Sequence, residues 1–172
     1  MQLANPKHSA AILLICVASA FAQQDATRQT YQLRTDQILS GSISRDTVAR
    51  GAPYPLNKRY QDFTPQEKAV LSELYKEMPE SDEPPFPQSG MRDIVRDISD
   101  LAGRLELRGA MTIFVSVSSQ GVAESVKLVK YDDLQTAKAV AYVLVKTKYK
   151  PAICSGSACA MEFPFMFKFE TR

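Results

Sequence analysis

Gly109-Ala-Met-Thr-Ile-Phe-Val-Ser-Val-Ser118 sets apolar Met111, Ile113, Val115 and Val117 against Thr112, Phe114, Ser116 and Ser118. A period of two over that many residues predicts a strand with one buried face. Ser119-Gln120-Gly121 follows as turn chemistry, with a glycine free to take positive φ. Val122 to Tyr131 then returns as a second strand.

Downstream, Asp132-Asp133 offers a cap for a helix. Its predicted buried stripe is Leu134, Ala137, Val140, Ala141, Leu144 and Val145, with Lys138, Lys146 and Lys148 in water. Tyr149–Cys154 and Cys159–Glu170 read as a terminal hairpin around Ser155-Gly-Ser-Ala158. Met161, Phe163, Phe165, Phe167 and Phe169 alternate along its second arm. Pro164 has no N–H for a ladder, so that arm lies at an edge or carries a bulge.

Upstream, Thr64-Pro65-Gln66-Glu67 is a helix start: Thr64 caps, Pro65 suits the first position and Glu67 completes a capping box. Val70, Leu71, Leu74, Tyr75 and Met78 line one stripe of a helix that stops near Pro79. Glu80 to Pro87 reads as an acidic, extended linker exposed to water. Met91 to about Leu105 is a second helix with Ile94, Val95, Ile98, Leu101, Ala102 and Leu105 on one face.

The chain opens as an export signal. Lys7 and His8 precede the apolar run Ala10–Val17, and Ala20-Phe21-Ala22 places a cut between Ala22 and Gln23. The run is far short of the ~20 residues of a spanning helix, which counts against an inner-membrane anchor. Ile15 fits poorly before a lipidated Cys16. Removing residues 1–22 from the 172 leaves 150, enough for one modest core. One of the 21 Lys+Arg leaves with the signal, against 19 Asp+Glu, so no basic excess points to nucleic acid. Cys154 and Cys159 remain. In an exported chain the pair predicts a disulfide stapling the hairpin, worth the low end of about 2–4 kcal/mol for so short a loop. Two cysteines are too few for a structural zinc, and their spacing is not that of a redox motif.

No chemistry stands out. The only histidine, His8, is lost with the signal, so no Ser/His/Asp arrangement forms. Asp132-Asp133 suits capping better than catalysis. Glu80, Asp82 and Glu83 lack calcium-loop spacing. No cofactor is expected. What remains is main-chain recognition, in which an open sheet edge accepts an extended peptide. The second strand and the C-terminal strand are the candidate edges, with Pro164 tilting the choice slightly toward the latter while weakening augmentation at its own position.

In order along the chain, Phe86-Pro87, Arg108-Gly109 with its alternating strand, Gln120-Gly121-Val122, Val126–Val129, Lys148-Tyr149-Lys150-Pro151-Ala152 and the final aromatic strand resemble the C-terminal domain of the TonB energy-transducer family. The resemblance covers roughly residues 84–170. It implies an α+β domain, a small antiparallel β-β-α-β-β sheet packed against one or two helices, here with an extra N-terminal helix. It also implies a non-catalytic periplasmic protein-binding module whose partner is an envelope protein, an outer-membrane receptor in that family. Phe86, Pro87, Tyr149, Pro151, Phe165 and Phe167 are the partner-binding candidates it suggests. TonB keeps an uncleaved membrane helix with a Ser and a His that serve a proton-driven motor; here His8 lies before the apolar run and the spacer is short. The expected division is signal peptide 1–22, polar and partly ordered leader 23–60, helix and acidic linker 61–83, and domain 84–172. An exported structural or self-associating protein with no transport role is the alternative. Intact mass of the exported protein should match residues 23–172 and gain two hydrogens on reduction; a mass that includes residues 1–22, or two free thiols before reduction, refutes the corresponding reading.

Overall fold

The computed structural model describes residues 31–35 and 55–169. The signal segment, with Ala22 and Gln23, lies outside the described residues, as does Glu170. The described chain is α+β, with small antiparallel sheets and three α-helices.

The first helix, α1 (Pro65–Ser72), starts on the capping box: Glu67 N donates to Thr64 Oγ1 at 3.3 Å, and Thr64 N donates to Glu67 Oε2 at 2.7 Å. It ends six residues before Met78, earlier than the apolar stripe predicts. Tyr75 instead bridges to Leu33, with Lys76 N donating to Gln32 O and Arg34 N to Leu74 O. That pairing needs extended backbone, and it overrides the helical periodicity. The strand β1 (Phe86–Pro87) follows, then α2 (Met91–Arg104), which buries Met91, Ile94 and Ile98.

The main sheet forms from β2 (Gly109–Val117), β3 (Ala123–Tyr131) and β7 (Met161–Phe169), in the order β3-β2-β7. Between β3 and β7 the chain makes α3 (Leu134–Lys146), β4 (Tyr149–Lys150), β5 (Ala152–Cys154) and β6 (Ser157–Cys159). The β5–β6 hairpin is confined to three residues a side. The long terminal hairpin expected from sequence is therefore divided. The chain breaks at Ala160, and Met161 to Phe169 pairs with β2 in unbroken register, Ile113 opposite Phe165 and Val115 opposite Phe163. Tyr149-Lys150 meanwhile pairs with Pro87-Phe86. Helix and strand faces explain the switch: Phe163 and Phe165 are fully buried only when they lie beside Ile113 and Val115 under the helices.

Asp133 caps α3, its Oδ1 accepting from Thr136 N at 2.7 Å. Asp132 does different work: its Oδ2 accepts from Ala110 N at 2.8 Å, fastening the end of β3 to the start of β2. The buried stripe of α3 is Thr136, Ala137, Val140 and Leu144, narrower and rotated from the prediction. Thr136 turns inward because its hydroxyl accepts from Arg108 N, which leaves Leu134 and Val145 exposed.

The β2–β3 turn rests on Gly121, at φ +77. Buried Ser118 organises it, its Oγ accepting from Gln120 N and Val122 N, both at 3.2 Å. A Cβ at Gly121 would run into the Tyr149 carbonyl oxygen. Gly121→Val is expected to cost about 3 kcal/mol or more through positive-φ strain and that clash. Thermal unfolding should show a Tm fall of about 6–12 °C; an unchanged Tm would contradict the turn geometry.

Candidate functional site

Which edge of the main sheet is open follows from hydrogen-bond parity. In an antiparallel pair, alternate residues point both main-chain groups at the same neighbour. Pro164 sits opposite Phe114 in an unbroken ladder, so its nitrogen must face away from β2. On β7, positions 162, 164, 166 and 168 then face outward. Two contacts agree. Tyr75 Oη donates to Glu162 O at 2.8 Å from outside the sheet. On the other side of β2, Ala110 O accepts from Asp132 N and Ser118 N donates to Val122 O, so even positions of β2 face β3. On β3, Ser125 and Lys127, opposite Ser116 and Phe114, therefore face β2, and Val126 and Leu128 present their N–H and C=O outward.

The two edges are unequal. On β7 the first outward carbonyl is taken by Tyr75 and the next residue, Pro164, offers no donor. On β3, Val122 bridges to Lys148 and Tyr149 N donates to Gly121 O, which closes only the start of the strand. Among the described residues no strand pairs with the remainder of the β3 edge. Pro164 does mark an edge, as the sequence suggests, but a blunted one.

The structure places Phe86, Tyr149 and Phe165 in the core, at 0%, 3% and 1% exposure, with Pro87 also buried and Pro151 and Phe167 half-buried. Phe86 packs edge-on to Phe163, Tyr149 to Phe165, and Phe165 stacks on Phe167. Tyr149 Oη donates to Leu144 O at 2.9 Å, and burial pushes its phenol up. These side chains support the sheet and its β1–β4 flank; in this structure they do not form a common exposed surface.

The Glu80–Glu83 linker is solvated only in part: Glu80 and Ser81 are exposed, as the sequence suggests, but Glu83 is half-buried and Asp82 turns inward. Asp82 is 3% exposed. Its Oδ2 accepts from Tyr31 Oη at 2.7 Å, and its Oδ1 accepts from Ser155 N at 3.0 Å and Ser81 Oγ at 3.1 Å. Those bonds, the Tyr31 phenol first, hold its carboxyl below the usual aspartate range against the opposing effect of burial. Glu83 pairs with Lys150 at 3.0 Å and Lys68 at 3.5 Å. Lys150 also donates to Pro84 O and Pro151 O and lies 4.4 Å from the centre of the Tyr60 ring. Burial lowers its pKa, against the raising influence of Glu83. Sequence reasoning missed both acids because their partners are remote in the chain: Tyr31 lies 51 residues before Asp82 and Ser155 lies 73 after it.

Cys154 and Cys159 form a disulfide, their Cα atoms 5.8 Å apart. Ser155 and Gly156, at φ +49 and +80, make the turn between them.

No protein-family model matches the chain, and no curated protein matches it. Among solved structures, the chain is similar to the solution NMR structure of the Pseudomonas aeruginosa TonB CTD, at 18% identity and a TM-score of 0.30, over 43% of this chain and 77% of that one.

Asp82 gives a pH test with a definite sign. Because its folded-state pKa is lowered, its stabilising contribution is full above the ordinary aspartate value of about 4 and is lost as pH falls through the lower folded value. Asp82→Asn is expected to lose about 1.5–3 kcal/mol at pH 7. Urea unfolding of the two proteins should converge as pH falls below about 4; curves that stay parallel would show that the carboxylate does not carry this contribution.

Proposed function

We propose that this chain is a non-catalytic, exported protein-binding module that takes up an extended segment of an envelope protein as an added strand along β3. The observation that carries it is the asymmetry of the sheet edges. The β7 edge is obstructed by Tyr75 and Pro164, while at the β3 edge Val126 and Leu128 offer main-chain groups that no strand among the described residues pairs with. Strand addition draws affinity from such groups. The export signal read in residues 1–22 supports a periplasmic location, and the motifs of residues 84–170 support a partner of the outer-membrane receptor type.

Titration with synthetic extended segments from outer-membrane receptors, read by backbone amide shifts, is expected to move Val126 and Leu128 first and to saturate. Val126→Pro removes an outward N–H without touching a bond to β2, so it should weaken binding about fivefold or more while the far-UV spectrum stays native. Shifts centred on β7 would overturn the choice of edge. No saturable shift with any such segment would favour the alternative, an exported interaction protein with no transport role.

A further inference from the structure

The described part of the leader, residues 31–35, is a strap over the second face of the sheet. Its two main-chain bonds run to the segment after α1, and Arg34 Nε donates to Tyr75 O at 3.1 Å. Leu33, 6% exposed, belongs to a buried cluster with Tyr75, Phe114, Ala152, Met161 and both cysteines of the disulfide. Tyr31 is anchored through Asp82, and Asp82 is held from its other side by the Ser155 N–H. Ser155 is the first residue of the turn that the disulfide closes. Two of the strap's attachments, Leu33's pocket and Tyr31's acceptor, therefore lead to one covalently closed loop.

We propose that the Cys154–Cys159 disulfide is a redox latch on this strap: a dithiol reductant opens the bond, the Ser155 turn loosens, and residues 31–35 leave the sheet, uncovering the face around Phe114. In that step the dithiol supplies two electrons and two protons. The S–S bond breaks, each cysteine sulfur becomes a thiol, and the reductant closes into its own disulfide. The loop itself is short, so its opening should leave the β3-β2-β7 sheet and its helices folded. The strap's bonds run to Leu74, Tyr75, Lys76 and Asp82, in irregular segments outside the sheet, so it can open without breaking a strand pairing. This inference does not depend on which edge a partner occupies.

Hydrogen exchange on the full exported chain, before and after reduction by dithiothreitol with thiols counted, tests it. The amides of Arg34 and Lys76, which bond across the strap, are expected to exchange about tenfold faster or more once the bond is open, while β2 and α3 amides keep their protection. Unchanged rates at Arg34 and Lys76 with two thiols present overturn the proposal. So does collapse of the whole protection pattern, since the bond would then hold the domain and not the strap. Linkage supplies a second, independent arm. If reduction loosens the strap, loosening the strap must favour reduction by the same factor. Tyr31→Phe should shift the thiol–disulfide equilibrium with dithiothreitol about fivefold or more toward the dithiol form; an equilibrium equal to that of the unaltered chain overturns the latch.

Discussion

β2 uses its main-chain groups on both sides, odd positions toward β7 and even positions toward β3, and the rest of the molecule is arranged around that saturation. Because β2 is central, Pro164 is tolerated only where its nitrogen faces outward, and this single constraint sets the parity of all nine pairs from Gly109–Phe169 to Val117–Met161. A slip by one residue would turn the proline nitrogen into the ladder and carry Phe163 and Phe165 to the other face. Both penalties act in the same direction, so the register is specified twice.

A three-stranded sheet has two faces to cover, and the helices cover one. Ile94, Ile98, Ala137, Val140 and Leu144 pack with Ile113, Val115, Phe163 and Phe165 in the larger core. The other face carries Thr112 and Phe114, and both are buried, at 6% and 5% exposure. Irregular chain covers it: Leu33, Tyr75 and the disulfide-closed hairpin. Burying side chains of this size contributes about 1.5–3 kcal/mol each, comparable with what a helix face supplies per residue. The polar linker is drawn into the same task, since buried Asp82 meets its need for hydrogen bonds there, from the Tyr31 phenol and the Ser155 N–H.

The elements governed by local chemistry were legible in the sequence. The capping box at Thr64, the Asp133 cap, the Gly121 turn and the period-two pattern of β2 are each decided within a few residues of chain. Pairings decided by distant contacts were not. That β7 leaves the hairpin to join β2 depends on Ile113 and Val115, some 50 residues earlier. That Phe114 is buried depends on Leu33 and Tyr75, and alternation along β2 alone assigns it to the solvent side. The inward turn of Thr136, invisible in a hydrophobic stripe, follows from the bond its hydroxyl accepts from the Arg108 N–H. For the site, the two candidate edges were visible, but their inequality rests on Tyr75, whose partner Glu162 is 87 residues away.

A sheet edge that no strand among the described residues pairs with is a hazard as well as an opportunity, and β3 limits both. Register shifts at Thr112/Ile113 and Ser116/Val117 leave a regular run only from Ser125 to Leu128. Within it, Val126 and Leu128 offer two donors and two acceptors. At about 0.5–1.5 kcal/mol net per bond, these sum to less than or about the cost of bringing two molecules together, roughly 4–15 kcal/mol. Main-chain pairing there cannot by itself hold a stranger, nor drive indiscriminate edge-to-edge growth. A partner must add side-chain burial, and the exposed apolar residues nearest in sequence to the edge, Val122 and Tyr131, lie just beyond the two ends of that run. For the partner proposed above, the bulges that shorten the strand would leave selection to side chains rather than to the main chain.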